Sequence, residues 1–189
     1  MRNIMSGDIV SGLKSYQYDL AVGPDLLAAG GDITHEKVCE EYMLLMVPDR
    51  WDLRPFSQKR EGVRYPWLDL SEIPDLDFIL QEKNSAIRKE IDVILAEYGL
   101  NPVPRMITDN SLLAIQAAEK QMGCCFVSEA FFPYITDRSR VQFYSIGKTI
   151  KRTNSCILYL KDKSFTKEES FCISVIRQTL QDNYKRITA

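Results

Sequence analysis

The chain has 189 residues, 45% of them hydrophobic, enough to bury the core of one ordinary domain or two small lobes, which excludes a disordered protein. Its 24 Lys and Arg residues nearly balance 26 Asp and Glu, for a formal charge of −2, and the two signs are mixed along the chain. Without a basic block, such a chain is a poor candidate for gripping DNA unaided.

Ser6 can cap a short helix with Ile9, Val10, Leu13 and Tyr16 on one side, and YDLAVG, residues 18–23, reads as a strand closed by Gly23-Pro24. A polar loop with the single histidine, His35, leads to YMLLMVP, whose apolar run from Tyr42 to Val47 suits a buried parallel strand. Residues 49–74, rich in Arg, Pro and aromatics and holding Trp51 and Trp67, read as a packed connection. LDFIL (76–80) is the next strand. A helix then spans Asn84 to Tyr98 with the stripe Ile87, Ile91, Ile94, Leu95 and Tyr98, stopped by Gly99 and Pro102.

VPRMIT (103–108) reads as a strand and Asn110 as the cap of a helix with Leu112, Ile115, Ala118 and Met122 on one face, ended by Gly123 before the strand CCFV. Two more strands, VQFYSI and SCILYL, precede a last helix in which Thr166 and Glu169 form a capping box and Phe171, Val175, Ile176 and Leu180 are the expected buried stripe. Strands alternating with helices predict an α/β fold with a largely parallel sheet. In such sheets ligands collect where strands end and helices begin, which directs attention to the polar turn Gln81, Glu82, Lys83, Asn84, Ser85.

The residues offer little for catalysis. Cys39, Cys124, Cys125, Cys156 and Cys172 are odd in number, lack C-x-x-C spacing and fall mostly in apolar runs, as expected of reduced, buried thiols in a cytoplasmic protein. Cys124 and Cys125 point to opposite faces of their strand, so they cannot chelate one metal. The glycines of AAGGD lack the strand-turn-helix context of a nucleotide fingerprint, and the carboxylates Asp8, Asp19, Glu82 and Asp109 are scattered. No metal site, cofactor or catalytic group is therefore expected. The start MRNIMSGDIVSG carries no signal-peptide core, and no segment reaches the ~20 apolar residues of a membrane span.

The order of the segments DIVSGLKSYQYDLAVG, EEYMLLMVPDR, DFIL…NSAIRKEIDVILAEYGLNP and SLLAIQAAEKQMGCCFVSE, followed by an amphipathic helix, resembles the effector-binding domain of LysR-type transcriptional regulators over nearly the whole chain. The resemblance implies a two-lobed, type 2 periplasmic-binding-protein-like fold with mixed, mostly parallel sheets. One lobe would be residues 1–47 and 141–189, the other 48–140, with a small-molecule effector in the cleft between them. By the same resemblance Gln81 to Ser85 is the second lobe's contribution to that cleft. The helix-start N–H groups there and Lys83 would suit a carboxylate or amino-acid-like anion. Ser6 matches a ligand-contacting Ser or Thr of the family, and Gly23 and Pro24 line the same edge.

Departures from the family pattern place Gln121 and Gly123 at its G-x-G and Ser128 at its closing Pro, which makes Cys124 and Ser128 further candidate contacts. The winged helix-turn-helix, the linker helix and the first lobe's first strand and helix have no counterpart in the sequence, so DNA contact would belong to that missing part. The resemblance also implies a homodimer or homotetramer, with no membrane partner. Two rival readings are a solute-binding protein of a transporter and a small α/β enzyme pairing Cys124 with His35.

Overall fold

The computed structural model describes residues 6–28, 30–83 and 85–188. In chain order these form α1 (Ser6–Lys14), β1 (Ala21–Pro24), β2 (Ile33–Pro48), β3 (Ser57–Gln58), β4 (Trp67–Leu68), β5 (Phe78–Leu80), α2 (Ala86–Glu97), β6 (Met106–Ile107), α3 (Ser111–Glu119), β7 (Cys124–Ser128), β8 (Val141–Ser145), β9 (Arg152–Leu160) and α4 (Lys167–Thr188), with short 3-10 turns between. The fold is mixed α/β and divides into two compact units. Unit 1 is Met1–Glu41 with Thr153–Ala189, and unit 2 is Tyr42–Arg152.

In unit 1, β1 pairs antiparallel with β9 from Ala21 against Leu158 to Pro24 against Ser155, and β9 also pairs with β2. Cys156, Ile157 and Leu158 of β9 are fully buried, joined by Ile9 and Leu13 of α1. α4 starts with the expected reciprocal cap: the Thr166 N–H donates to Glu169 at 2.8 Å and the Glu169 N–H donates to Thr166 Oγ1 at 3.2 Å. Arg177 on the same helix donates to both carboxylate oxygens of Glu36 on β2 at 2.6 and 3.0 Å, which holds the Glu36 carboxyl below its ordinary range.

Unit 2 is an open sheet in the order β3-β4-β8-β2-β7-β5-β6. The pairs β4–β8, β5–β6 and β5–β7 are parallel, while β2 lies antiparallel to β7 and β8. All three residues of β5 are buried, as both faces of a central parallel strand require. α2 sinks Ile91, Ile94 and Leu95 into a cluster with Leu45, Val47, Phe78, Leu80, Phe126 and Tyr144. α3 meets the sheet through Ile115 and through Ala114, Ala117 and Ala118, the three alanines allowing close approach to β5 and β7. Gly99, at φ +68°, ends α2 as a left-handed cap, and Gly123 lets β7 start beside β5, because a Cβ there would lie 2.9 Å from the Asp77 carbonyl oxygen.

Six expectations need correction. The run Tyr42 to Val47, expected as a parallel strand, pairs antiparallel with both β7 and β8, and Cys172, expected among the buried thiols, is exposed on α4. His35 sits within the 16-residue strand β2 rather than in a loop, because Ile33 through Cys39 extend the ladder despite their charged outward positions. Tyr16 is 80% exposed at φ +56°, since α1 ends at Lys14 and the chain reverses there. Met122 is exposed because α3 has ended at Glu119. In α4 the buried phase is set by Ile173, with Ile176, Arg177 and Leu180 partly covered, so Phe171 and Val175 lie on the open side, 69% and 47% exposed.

Candidate functional site

The carboxyl edge of the unit 2 sheet is built where β5 gives way to α2. Ser85 is the N-cap of α2: its backbone is extended and its Oγ accepts the Arg88 N–H at 3.1 Å. Arg88, almost wholly buried, donates from Nη1 to the Gln81 carbonyl at 2.8 Å and from Nε to Asp92 at 2.7 Å, so one guanidinium ties the first turn of α2 back to the end of β5. The Glu82 N–H donates to Asp109 Oδ1 at 2.9 Å, and the Thr108 N–H donates to the Leu80 carbonyl at 3.0 Å, bringing the end of β6 alongside. At the start of α3 the Asn110 side chain accepts the N–H groups of Leu112 and Leu113.

Gln81 and Ser85 are therefore buried, whereas Glu82 and Lys83 are exposed; Asn84 lies outside the described residues. Gln81 Oε1 is enclosed and has no hydrogen-bond partner among the described residues, and Ser145 Oγ at the end of β8 is in the same state. A buried polar atom left unpaired costs about 1–3 kcal/mol, so such atoms concentrate where something other than folding fixes the residue type.

Ser128 ends β7 at this edge, opposite Met43 of β2, and its Oγ accepts the Ala130 N–H at 3.2 Å. Cys124 lies at the other end of the same strand, fully buried, its N–H donating to the Asp77 carbonyl at 2.8 Å. Four residues of strand, about 13 Å, separate it from Ser128. Burial pushes the Cys124 thiol well up and the Cys125 thiol up to about 12, which makes both poor nucleophiles. Gly23 and Pro24 lie in β1 of unit 1, half-buried, and a Cβ on Gly23 would come within 3.0 Å of Leu27. Ser6 opens α1, and its side chain lies outside the described residues.

The sequence reading missed the densest polar cluster of this edge. Glu129, the residue after Ser128, is 0% exposed. Its Oε1 accepts Arg64 Nη1 and the Tyr65 hydroxyl, each at 2.6 Å, and its Oε2 accepts the Tyr42 N–H at 2.8 Å. Burial, then the hydrogen bond to this carboxylate, pushes the Tyr65 hydroxyl well up. Tyr42, Tyr65, Phe132 and Phe143 continue outward as an aromatic chain with ring centroids 4.6 to 6.1 Å apart. The available signal was a lone acid in FVSEAFF, an apolar context in which a carboxylate must find donors.

Two cavities of unit 2, of about 680 and 540 Å³, open elsewhere. The larger is lined by Arg50, Trp51, Asp77 and Val103 at the amino end of β5, where Arg50 and Arg105 both converge on Asp77. Neither contains Gln81 to Ser85. Among the described residues no group of three or more His, Cys, Asp or Glu could hold a metal ion, and no helix is long and apolar enough to cross a membrane.

This order of strands and helices has known counterparts. The family model of the LysR substrate binding domain matches residues 2–181. The chain belongs to that family. Its fold is the two-lobed, type 2 periplasmic-binding-protein-like fold of the LysR substrate-binding domain. The regulatory domain of Synechocystis PCC6803 CcmR in complex with 2-PG is 14% identical, with a TM-score of 0.73 over 92% of this chain and 78% of that one. The effector binding domain of QuiR in complex with shikimate is 15% identical, with a TM-score of 0.68 over 95% and 76%. The Corynebacterium glutamicum OxyR C206 mutant is 16% identical, with a TM-score of 0.67 over 97% of this chain but 54% of that one, so this LysR-type chain spans about half of its length. No curated protein matches the chain by sequence.

Proposed function

We propose that this chain is the effector-sensing part of a bacterial LysR-type transcriptional regulator, binding a small molecule, a carboxylate or amino-acid-like anion, to control transcription. The observation that carries the reading is the segment from Gln81 to Ser85: a buried glutamine whose Oε1 has no partner among the described residues, followed by the opening of α2, at the carboxyl edge of a parallel sheet segment. Membership of the LysR substrate-binding family supports it, as do the neighbours whose structures hold 2-PG and shikimate. Glu82, Lys83, Asn84 and Ser128 complete this lobe's share, and Ser6, Gly23 and Pro24 are the other lobe's candidates. We take the lobes as residues 1–47 with 141–189, and 48–140.

The effector acts by differential affinity, favouring one arrangement of a cytoplasmic homodimer or homotetramer over another, and no bond is made or broken. DNA contact would come from a winged helix-turn-helix outside these 189 residues. The test is a thermal-shift screen against small metabolites, charged and neutral, with Lys83→Trp alongside. Lys83 is the suitable position because it is exposed, whereas Ser85 is buried and caps α2. A compound that raises the melting temperature of the wild type but not of the variant supports the site. Stabilisation of both to the same extent refutes it.

A further inference from the structure

We propose that Gln81 reads a hydroxyl group on the effector, so that the ligand class is a hydroxy acid rather than a plain carboxylate; the proposal rests on the effector reading above and narrows it.

Pleat alternation places the side chain. Leu80 of β5 belongs to the cluster packed under α2, so Gln81, the next residue, turns to the opposite face of the sheet, where α3 lies against β5 and β7. β5 runs parallel to β7 with Ile79 beside Cys125, which puts Gln81 level with Val127. The Thr108 N–H donates to the Leu80 carbonyl at 3.0 Å, and α3 begins at Ser111. Gln81 therefore stands in the corner between the end of β5 and the first turn of α3, 4% exposed. Arg88 ties this corner to the start of α2, since its backbone N–H donates to the Ser85 hydroxyl and its Nη1 donates to the Gln81 carbonyl.

The N–H donors of the corner are engaged by the chain's own caps. Thr108 Oγ1 accepts the Asn110 N–H at 3.1 Å, Asn110 Oδ1 accepts those of Leu112 and Leu113, and Asp109 Oδ1 accepts that of Glu82. Gln81 Oε1 has no partner among the described residues. It is an acceptor, which a carboxylate cannot satisfy and an O–H can. The last torsion of a glutamine is soft, so the amide can turn its oxygen toward an incoming donor, and pairing then removes a desolvation cost.

A hydroxyl suits this position better than an ammonium. Gln81 is neutral and enclosed, and an ammonium drawn beside it would lose its hydration without gaining a counter-charge. Glu82, exposed to water, is too well screened to supply one. The effector's carboxylate goes instead to the first N–H groups of α2 and to Lys83. A site built to bond a hydroxyl rejects the analogue that lacks it, because its own acceptor is then left unpaired.

The test uses matched triads of hydroxy acid, amino acid and unsubstituted acid: glycolate, glycine and acetate; lactate, alanine and propionate; malate, aspartate and succinate; mandelate, phenylglycine and phenylacetate. Wild type, Gln81→Met, Gln81→Glu and Lys83→Trp are compared by calorimetry and thermal shift. At least one hydroxy acid binds the wild type roughly tenfold more tightly than its unsubstituted partner, and the ratio falls to about one in Gln81→Met. Without ligand Gln81→Met melts no lower than the wild type, since it keeps the length of the side chain and removes an unpaired acceptor. Gln81→Glu supplies the missing counter-charge and moves the preference to the amino acid.

The proposal is overturned if no hydroxy acid binds the wild type, if the unsubstituted or amino acid of a triad binds it as tightly, or if Gln81→Met keeps the hydroxyl preference. A ligand-free Gln81→Met that melts well below the wild type overturns it too, by marking Gln81 as a structural residue. An unsubstituted acid that stabilises the wild type and Gln81→Met alike, but not Lys83→Trp, removes the hydroxyl reading and leaves the effector site standing.

Discussion

The two edges of the unit 2 sheet carry the same chemistry to different ends. At the carboxyl edge Glu129 is 0% exposed and takes Arg64, Tyr65 and the Tyr42 backbone. At the amino edge Asp77, whose side chain is 37% exposed, takes Arg50 at 3.0 Å and Arg105 at 2.9 Å. On distances alone the two constellations look equivalent. Burial separates them: an enclosed carboxylate has no water to fall back on, so its partners are fixed, whereas an open pair exchanges with solvent and is screened by salt.

Removing Glu129 should therefore cost most. Glu129→Ala strips three donors of their buried acceptor, and urea unfolding should show a loss of about 3 kcal/mol. A loss below about 1 kcal/mol would erase the contrast between the edges. Ser85→Ala removes the side-chain acceptor at the start of α2 and should cost about 1 kcal/mol by the same measurement, with the sheet intact by circular dichroism. Asp77→Asn should cost less than about 1 kcal/mol, and the difference from wild type should vanish in molar salt, which is the signature of an exposed pair.

The smallest effect concerns pH. The Glu97 carboxyl, accepting the Lys148 N–H at 3.1 Å and pairing with Lys151, is held below its ordinary value of 4.5. A depressed carboxylate contributes stability above its unfolded pKa and loses it as the pH falls through the folded one. The melting-temperature gap between wild type and Glu97→Gln should thus be present at neutral pH and close only below 4.5. A gap that closes on going alkaline would have the wrong sign.

What the sequence revealed about these regions follows how local the signal was. Ser85, Asn110 and the Thr166 and Glu169 pair act within one helical turn, and their capping roles are readable from neighbours. The stripe Ile91, Ile94 and Leu95 is likewise a short-range pattern. The α4 stripe misled because Phe171 and Val175 are as apolar as the residues that are covered, while the buried phase is set by Ile173 and by Arg177 reaching Glu36 from 141 residues away. The Glu129 cluster was invisible for the same reason: Arg64 lies 65 positions and Tyr42 87 positions from it, and only the sheet register brings them together.

The discontinuity of unit 1 bears on synthesis. Its two segments, Met1–Glu41 and Thr153–Ala189, are separated by the whole of unit 2. A ribosome therefore delivers β1 and the first half of β2 well before β9, the strand that pairs with both. Until then their ladder groups have no partner, an open template for other chains, while Tyr42–Arg152 can already collapse around α2. The interval before the last strand emerges is the stretch of this protein's life in which aggregation competes most directly with folding. Slowing translation after codon 152 lengthens that exposure, whereas a chaperone acting on the nascent amino-terminal segment shortens it.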